Sequence, residues 1–166
     1  MKLTSPAFEN GASIPRHYSG ISDELSPPLT WNDVPEGTQS FALICDDPDA
    51  PSHVHPRPEG PWVHWVIYNI PGSERQLPEA LQPVARLDKP DGASQGQNDF
   101  GHPGDIGYRG PMPPLGSGPH RYFFKIYALN RLLDLPPENA TKNSLLSAMQ
   151  GHVLAEAELM GLFERR

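Results

Sequence analysis

The sequence predicts a mainly β protein, a sandwich of short strands joined by long loops, with one helix near the C-terminus. The 166 residues include 21 prolines, where an average chain of this length carries about 8. Because proline in a helix interior breaks the helix, this density excludes a helical bundle. The prolines are interleaved with Trp, Phe, Tyr and Val, which favours a folded chain over a disordered one. We expect one domain spanning residues 1–166.

Five segments predict strands. Residues 40–45 form a continuous apolar run, as in a strand buried on both faces. Residues 63–70 are rich in Trp, Val, Ile and Tyr and end at a Pro-Gly turn signal, and residues 121–129 are similarly aromatic. Weaker edge strands are expected at residues 3–8 and 29–31.

One long helix is predicted near residues 142–160. Apolar residues recur there at helical spacing, at Leu146, Met149, Val153, Ala157 and Met160. Thr141 or Asn139 is placed to cap its N-terminus, and Gly161 suits the position just past its end. A shorter helix is expected near residues 73–81. The remaining long loops, at 46–61 and 71–119, are of a length that usually carries function.

Charge and composition narrow the classes of partner. A net charge of −7 and a pI near 5.4 argue against nucleic acid or an anionic membrane surface as the main partner.

The single cysteine, Cys45, lies in an apolar run and is expected to be a buried hydrophobe. No secretory or membrane-spanning segment is evident, so we expect a cytoplasmic protein. The GxxxxGK[ST] and GxGxxG spacings are absent, and no cofactor is expected.

Polar side chains stand beside three stiff turns. Residues 46–51, DDPDAP, hold three carboxylates on an extended turn. His64 enters the second predicted strand, while His120 and Tyr122 begin the third and share one face because they are two residues apart. The loop at residues 107–119, with its glycines and prolines, can present backbone N–H groups to an anion. These segments together predict a small preformed pocket for a polar or anionic ligand.

Catalytic alternatives are less well supported by the sequence. A metal could use His53, His55, His64 and the Asp cluster, but no HExxH motif or cysteine pair accompanies them. Ser117 lies near His120 in sequence, yet the GSG around it is not a GxSxG nucleophile elbow. We therefore expect a protein that binds without catalysis and without metal, and leave phosphoester hydrolysis open.

Three segments in this order resemble the phosphatidylethanolamine-binding protein family, also called Raf kinase inhibitor-like proteins. They are DPDAP at 47–51, PWVHWVIYNIP at 61–71 and GSGPHRY at 116–122, and the ending at 144–165 resembles the compact bacterial branch. The resemblance covers almost the whole chain. It implies two antiparallel β-sheets packed together with a small C-terminal helical element.

The resemblance also implies a pocket for phosphate-type anions or phospholipid headgroups. Its residues here are Asp47, Asp49, Pro51, Trp62, His64, Gly110, Met112, Pro113, Pro114, His120 and Tyr122. His64, Tyr122 and the backbone near Met112 would face the anion, and Asp47 would hold the two histidines or the headgroup amine. Binding is expected to weaken as pH rises, since protonated His64 or His120 would add charge-assisted bonds.

A second function remains open beside ligand binding. The chain could act as a protein-binding modulator, an inhibitor of a kinase or a protease, through a pocket rim at residues 52–60 and 95–106. A homodimer is also left open, because the sequence does not determine the oligomeric state.

Overall fold

The computed structural model describes residues 1–101 and 103–166, and these contain eight strands, one α-helix and two short 3-10 turns. The strands are β1 (Lys2–Thr4), β2 (Leu29–Asn32), β3 (Ser40–Asp47), β4 (Trp62–Pro71), β5 (Gln76–Leu77), β6 (Ser94–Gln95), β7 (His120–Leu129) and β8 (Val153–Phe163). The helix α1 is Lys142–Met149, and the 3-10 turns are Arg16–Tyr18 and Pro137–Asn139.

The strands form two antiparallel sheets. A three-stranded sheet has the order β1-β2-β5, and a five-stranded sheet has the order β6-β4-β3-β7-β8. Every adjacent pair of strands is antiparallel. The predicted fold class, a mainly β protein with packed antiparallel sheets and a C-terminal helix, is confirmed.

Strand β3 lies at the centre of the larger sheet and is buried along its whole length. Phe41, Leu43 and Cys45 enter the main core, which also takes Trp31 of the smaller sheet. The alternate residues of β3 enter a second core on the opposite face, beneath α1. The prediction of a strand buried on both faces is therefore confirmed, as is the burial of Cys45.

The predicted helix at 142–160 is wrong beyond Met149. Thr141 caps α1 as expected, with its hydroxyl accepting from the peptide N–H of Ser144. Residues 153–163 instead form β8, which pairs with β7 along its whole length. The edge of β7 offers backbone hydrogen bonds to every second residue of a strand laid beside it. The free energy gained by this pairing outweighs the helix propensity of residues 153–163. The signal for a strand was the period-two alternation in AEAELMGLF, at 155–163.

Two smaller predictions also fail. Gly161 is not a helix cap but lies in β8 opposite Tyr122, where a Cβ would come within 2.5 Å of Ile14 Cγ1. The helix expected at 73–81 is replaced by β5 and turns, consistent with Pro78 interrupting that segment. Among the described residues, no helix has the length and hydropathy to cross a membrane.

Candidate functional site

The candidate site forms where three strand ends meet. Strand β3 ends at Asp47, while β4 begins at Trp62 and β7 begins at His120. Because β3 lies between β4 and β7 and is antiparallel to both, its C-terminal end adjoins their N-terminal ends. Residues far apart in sequence are therefore brought to one edge of the sheet.

A cavity of about 320 Å³ opens at this edge, within the size range of small-ligand sites. It is lined by Asp47, Ala50, Pro51, Arg57, Trp62, His64, Phe100, Met112, Pro113, Pro114, His120 and Tyr122. Nine of the eleven predicted site residues are in this lining; Asp49 and Gly110 are not. The part that each plays in binding stays a prediction.

Asp49 lies behind the cavity wall and holds the turn after β3 against β7. Its carboxylate accepts from the Nε and Nη2 of Arg121, at 3.0 and 2.9 Å, and from the Arg121 peptide N–H at 3.0 Å. Hydrogen bonds from Arg121 lower the pKa of Asp49. This carboxylate therefore acts as a structural brace rather than as part of the cavity surface.

Gly110 also acts behind the wall, by allowing two backbone segments to touch. A Cβ at this position would lie 2.2 Å from the carbonyl oxygen of Tyr18. The same segment is fixed by a hydrogen bond from the Tyr108 hydroxyl to the Tyr18 carbonyl, at 2.7 Å, and by one from the Gly20 peptide N–H to the Pro111 carbonyl, at 2.9 Å. This anchoring positions the loop that carries Met112 and the two prolines after it.

His120 is held at both ring nitrogens. Its Nδ1 lies 2.7 Å from the Oδ2 of Asp47, and its Nε2 lies 3.0 Å from the hydroxyl of Ser117. Asp47 Oδ1 accepts in addition from the Asp49 peptide N–H at 2.7 Å. Burial raises the pKa of Asp47, while the hydrogen bond from His120 opposes that rise. With both nitrogens engaged, His120 has no ring N–H left to give to a ligand.

His64 is held separately from His120. Its Nδ1 donates to the carbonyl of Arg109 at 2.7 Å, and the Arg109 peptide N–H donates back to the His64 carbonyl at 3.0 Å. The resemblance implied that Asp47 would hold the two histidines or the headgroup amine; of the two histidines, His120 bonds to Asp47 and His64 bonds to Arg109 instead. Burial lowers the pKa of His64 to about 4, so the ring is neutral at pH 7 and its Nε2 is an acceptor.

Tyr122 completes the polar wall. It packs edge to face with His64, with 5.1 Å between ring centroids, and is 1 % exposed. Burial, followed by the negative charge of Asp47, raises the pKa of the phenol. The hydroxyl therefore stays protonated and can donate a hydrogen bond at any physiological pH.

Three lining residues, Ala50, Arg57 and Phe100, are not among the eleven predicted site residues. Arg57 donates to Gly60 O, Pro61 O and Asp99 Oδ2 at 2.8, 3.0 and 2.7 Å, and its guanidinium lies 4.8 Å from the centroid of the Trp62 ring. Arg57 and Phe100 fall in the expected rim segments, 52–60 and 95–106. No local pattern marks them, because their place in the wall depends on how two long loops pack together.

The sequence also offered candidate metal ligands and a candidate serine nucleophile, and the structure treats them differently. In the part of the chain that the structure describes, no three His, Cys, Asp or Glu side chains are grouped so that they could hold a metal ion. His53 and His55 lie exposed in the loop after β3. Ser117, by contrast, comes within hydrogen-bonding distance of His120, which its GSG context did not predict.

The similarity to known proteins covers nearly the whole chain. A family model described as "Phosphatidylethanolamine-binding protein" matches residues 4–164. The chain belongs to the phosphatidylethanolamine-binding protein family. It is 50% identical over 165 residues to a "UPF0098 protein" of Methanothermobacter thermautotrophicus, covering 99% of each chain. It is 44% identical to a "UPF0098 protein" of Aquifex aeolicus, covering 99% of this chain and 89% of that one.

Solved structures of family members share this fold. A putative phosphatidylethanolamine-binding protein homologue from Chlamydia trachomatis is 42% identical, with a TM-score of 0.84, covering 99% of this chain and 97% of that one. YbcL of E. coli, described as a new member of the mammalian family, is 32% identical, with a TM-score of 0.86, covering 99% and 98%. The resemblance in the three sequence segments is therefore confirmed at the level of family and fold.

Proposed function

We propose that the chain binds a phosphate-type anion, and in particular a phospholipid headgroup, in the cavity between β3, β4 and β7. The observation that carries this proposal is the pairing of the Tyr122 phenol with the His64 ring beside the Asp47 carboxylate, in a cavity of about 320 Å³. A phenol O–H and a histidine that can take up a proton are donors suited to phosphate oxygens.

The charge of the wall favours a zwitterionic ligand over a simple anion. Asp47 is buried next to the cavity, and its carboxylate repels a bare phosphate. A headgroup that carries an ammonium beside its phosphate offers the carboxylate a partner of opposite charge. Arg57 adds little positive field, because Asp99 already pairs with it at 2.7 Å. An ethanolamine phosphodiester therefore fits this wall better than inorganic phosphate does.

The rest of the wall is apolar and suits the glycerol end of such a headgroup. The apolar members of the lining are Ala50, Pro51, Trp62, Phe100, Met112, Pro113 and Pro114. The one hydroxyl among the lining side chains is the Tyr122 phenol, whose raised pKa makes it a poor nucleophile. These features support holding the cavity ligand without converting it.

Calorimetric titration with glycerophosphoethanolamine and with inorganic phosphate tests the proposal. We expect the wild-type protein to bind glycerophosphoethanolamine more tightly than phosphate. Tyr122→Phe should weaken that binding about tenfold, since it removes one hydrogen bond to a charged group. Tyr127→Phe is the matched control, because Tyr127 lies on the same strand and packs against the second core. No binding of either ligand by the wild type would refute the proposal.

A second candidate function is modulation of a kinase or protease through the cavity rim. Val54, Met112 and Leu115 are 65 %, 47 % and 64 % exposed, and they lie on the two loops that border the cavity. Exposed large apolar side chains clustered near one opening are typical of interaction surfaces. Inhibition assays against panels of proteases and protein kinases test this, with Leu115→Ser expected to lose any inhibition. The control is Leu132→Ser, which is 59 % exposed on a segment that does not line the cavity.

A further inference from the structure

A hydroxyl, an imidazole and a carboxylate stand in series beside the cavity. The Ser117 hydroxyl lies 3.0 Å from His120 Nε2, and His120 Nδ1 lies 2.7 Å from Asp47 Oδ2. His120 is 0 % exposed and Asp47 is 2 % exposed. The imidazole is thus oriented by a buried acid on one side and touches a hydroxyl on the other, which is the arrangement that activates a serine nucleophile.

Ser117 is reachable although the other two members are buried. It is half-buried, and it follows Gly116 and precedes Gly118, whose φ angles are +81° and +82°. Its peptide N–H closes a turn onto the Pro114 carbonyl at 3.1 Å. Ser117 does not line the cavity, which is walled there by Pro114 and His120. A reagent can therefore reach the hydroxyl without entering the ligand cavity.

The hydroxyl has two acceptors for one proton. Besides His120 Nε2, the Pro114 carbonyl lies 2.7 Å from Ser117 Oγ. When the hydroxyl donates to that carbonyl, its oxygen can still accept a hydrogen bond from His120, provided that Nε2 carries a proton. When His120 carries its single proton on Nδ1, facing Asp47, Nε2 is bare and accepts from Ser117. The second arrangement is the one that increases the nucleophilicity of the hydroxyl.

We propose that Ser117 is a nucleophile, activated by His120 and Asp47, that accepts an acyl group from activated carboxylic esters. This activity is separate from the proposed function, because the cavity ligand is not the substrate. Ser117 Oγ bonds to the ester carbonyl carbon as its proton passes to His120 Nε2, and Asp47 offsets the charge of the imidazolium. The carbon–alkoxide bond then breaks, and the leaving oxygen takes the proton from Nε2.

Water then hydrolyses the ester formed on Ser117. It attacks the acyl carbon and gives a proton to His120 Nε2; the carbon–Ser117 bond breaks, and the serine oxygen recovers that proton as the carboxylic acid leaves. The oxyanion needs donors, and the peptide N–H groups of Gly116 and Gly118 are available: in the described part of the chain neither is bonded to a protein acceptor.

The test uses p-nitrophenyl acetate and a fluorophosphonate, with intact-mass measurement and peptide mapping. We expect one adduct per wild-type chain, at Ser117, and none on Ser117→Ala. Ser52→Ala is the matched control, because Ser52 is also a half-buried loop serine but its hydroxyl is bonded by the His55 peptide N–H and not by an imidazole. It should label at the wild-type rate.

Loss of the base gives a second readout. His120→Asn should slow labelling by about a hundredfold, the lower end of what a general base contributes. Because His120 is buried and that variant could fail to fold, Ser117→Cys provides an independent check: it should keep acyl transfer from p-nitrophenyl acetate. An unlabelled wild-type protein, or equal labelling of Ser117→Ala, would overturn the proposal. Either outcome is distinct from failure of ligand binding, which the calorimetric titration measures.

Discussion

The carboxylate of Asp47 and the Nδ1 of His120 are joined by a hydrogen bond of 2.7 Å at the shared end of β3 and β7, and neither side chain has more than 3% of its surface exposed. The bond connects the central strand of the larger sheet, β3, to its neighbour β7 and fixes the orientation of an imidazole in the cavity wall. Removing one partner of such a buried pair leaves the other without compensation.

Asp47→Ala should therefore destabilise the protein strongly. His120 Nδ1 and the Asp49 peptide N–H both lose their acceptor. We expect the free energy of unfolding to fall by about 3–5 kcal/mol, measured by urea denaturation. Asp134→Ala, at an exposed position, is the control and should change it by less than about 0.5 kcal/mol. Similar losses in the two variants would contradict the structural role given to Asp47.

Ligand affinity should rise as pH falls, because His64 must take up a proton to donate to a phosphate. Its pKa in the free protein is about 4, and a bound anion raises that pKa. At a pH between the free-protein pKa and the bound-state pKa, binding takes up one proton. Affinity for glycerophosphoethanolamine should therefore increase as pH falls from 7 to 5, by up to tenfold for each pH unit. The phosphodiester keeps a single negative charge throughout this range.

His64→Gln is the control for that pH dependence and should abolish it. Calorimetry at pH 7, 6 and 5 measures both proteins. Protonation of Asp47 has the opposite effect on affinity, because it removes the charged partner of the ligand's ammonium; burial raises the pKa of this carboxyl. A decrease of affinity with falling pH in His64→Gln would therefore report on Asp47. The sequence predicted that either His64 or His120 could donate a hydrogen bond to the anion. Because both ring nitrogens of His120 are bonded to protein groups, only His64 is expected to do so. Equal affinity of the wild type at pH 7 and pH 5 would exclude this role.

Asp49→Asn should destabilise the protein in a pH-dependent way. Arg121 lowers the pKa of Asp49 in the folded state, so the ionised carboxylate stabilises the fold. That stabilisation is complete above the unfolded-state pKa, about 3.9, and is lost as pH falls through the lower folded-state pKa. We expect a loss of about 2 kcal/mol at pH 7, shrinking toward zero in acid. A difference between wild type and variant that stays constant down to pH 2 would argue against the pair.

Gly110→Ala should disrupt the loop that carries Met112. The added Cβ would lie 2.2 Å from the Tyr18 carbonyl oxygen, a backbone atom that cannot rotate away. We expect a loss of about 1–3 kcal/mol in thermal unfolding, together with weaker binding of glycerophosphoethanolamine. Gly37→Ala has open space but a φ of +87°, so it should cost about 1 kcal/mol and leave binding unchanged. The prediction fails if Gly110→Ala binds the ligand as the wild type does.

Residues that act through local chemistry were predictable from the sequence. The apolar run of β3, the aromatic strand β7 and the Thr141 cap all follow from patterns of a few residues, and they are present in the structure. The pairing of His120 and Tyr122 on one buried face follows from strand alternation alone. Local patterns failed at β8. Its apolar residues fit both helical spacing and strand alternation, and pairing with β7, a contact distant in sequence, decides between the two.

By itself, the sequence determined the family, the fold class and the residue types gathered at the site, because three spaced segments and the strand periodicities are local properties of the chain. Only the tertiary structure decided the partners: Asp47 with His120, His64 with Arg109, Asp49 with Arg121, and Ser117 within reach of an imidazole. The physical reason is that these bonds depend on antiparallel register and on how the loops after β3 and before β7 pack. The first three of these pairs join residues 45 to 73 positions apart, and no local pattern encodes such contacts.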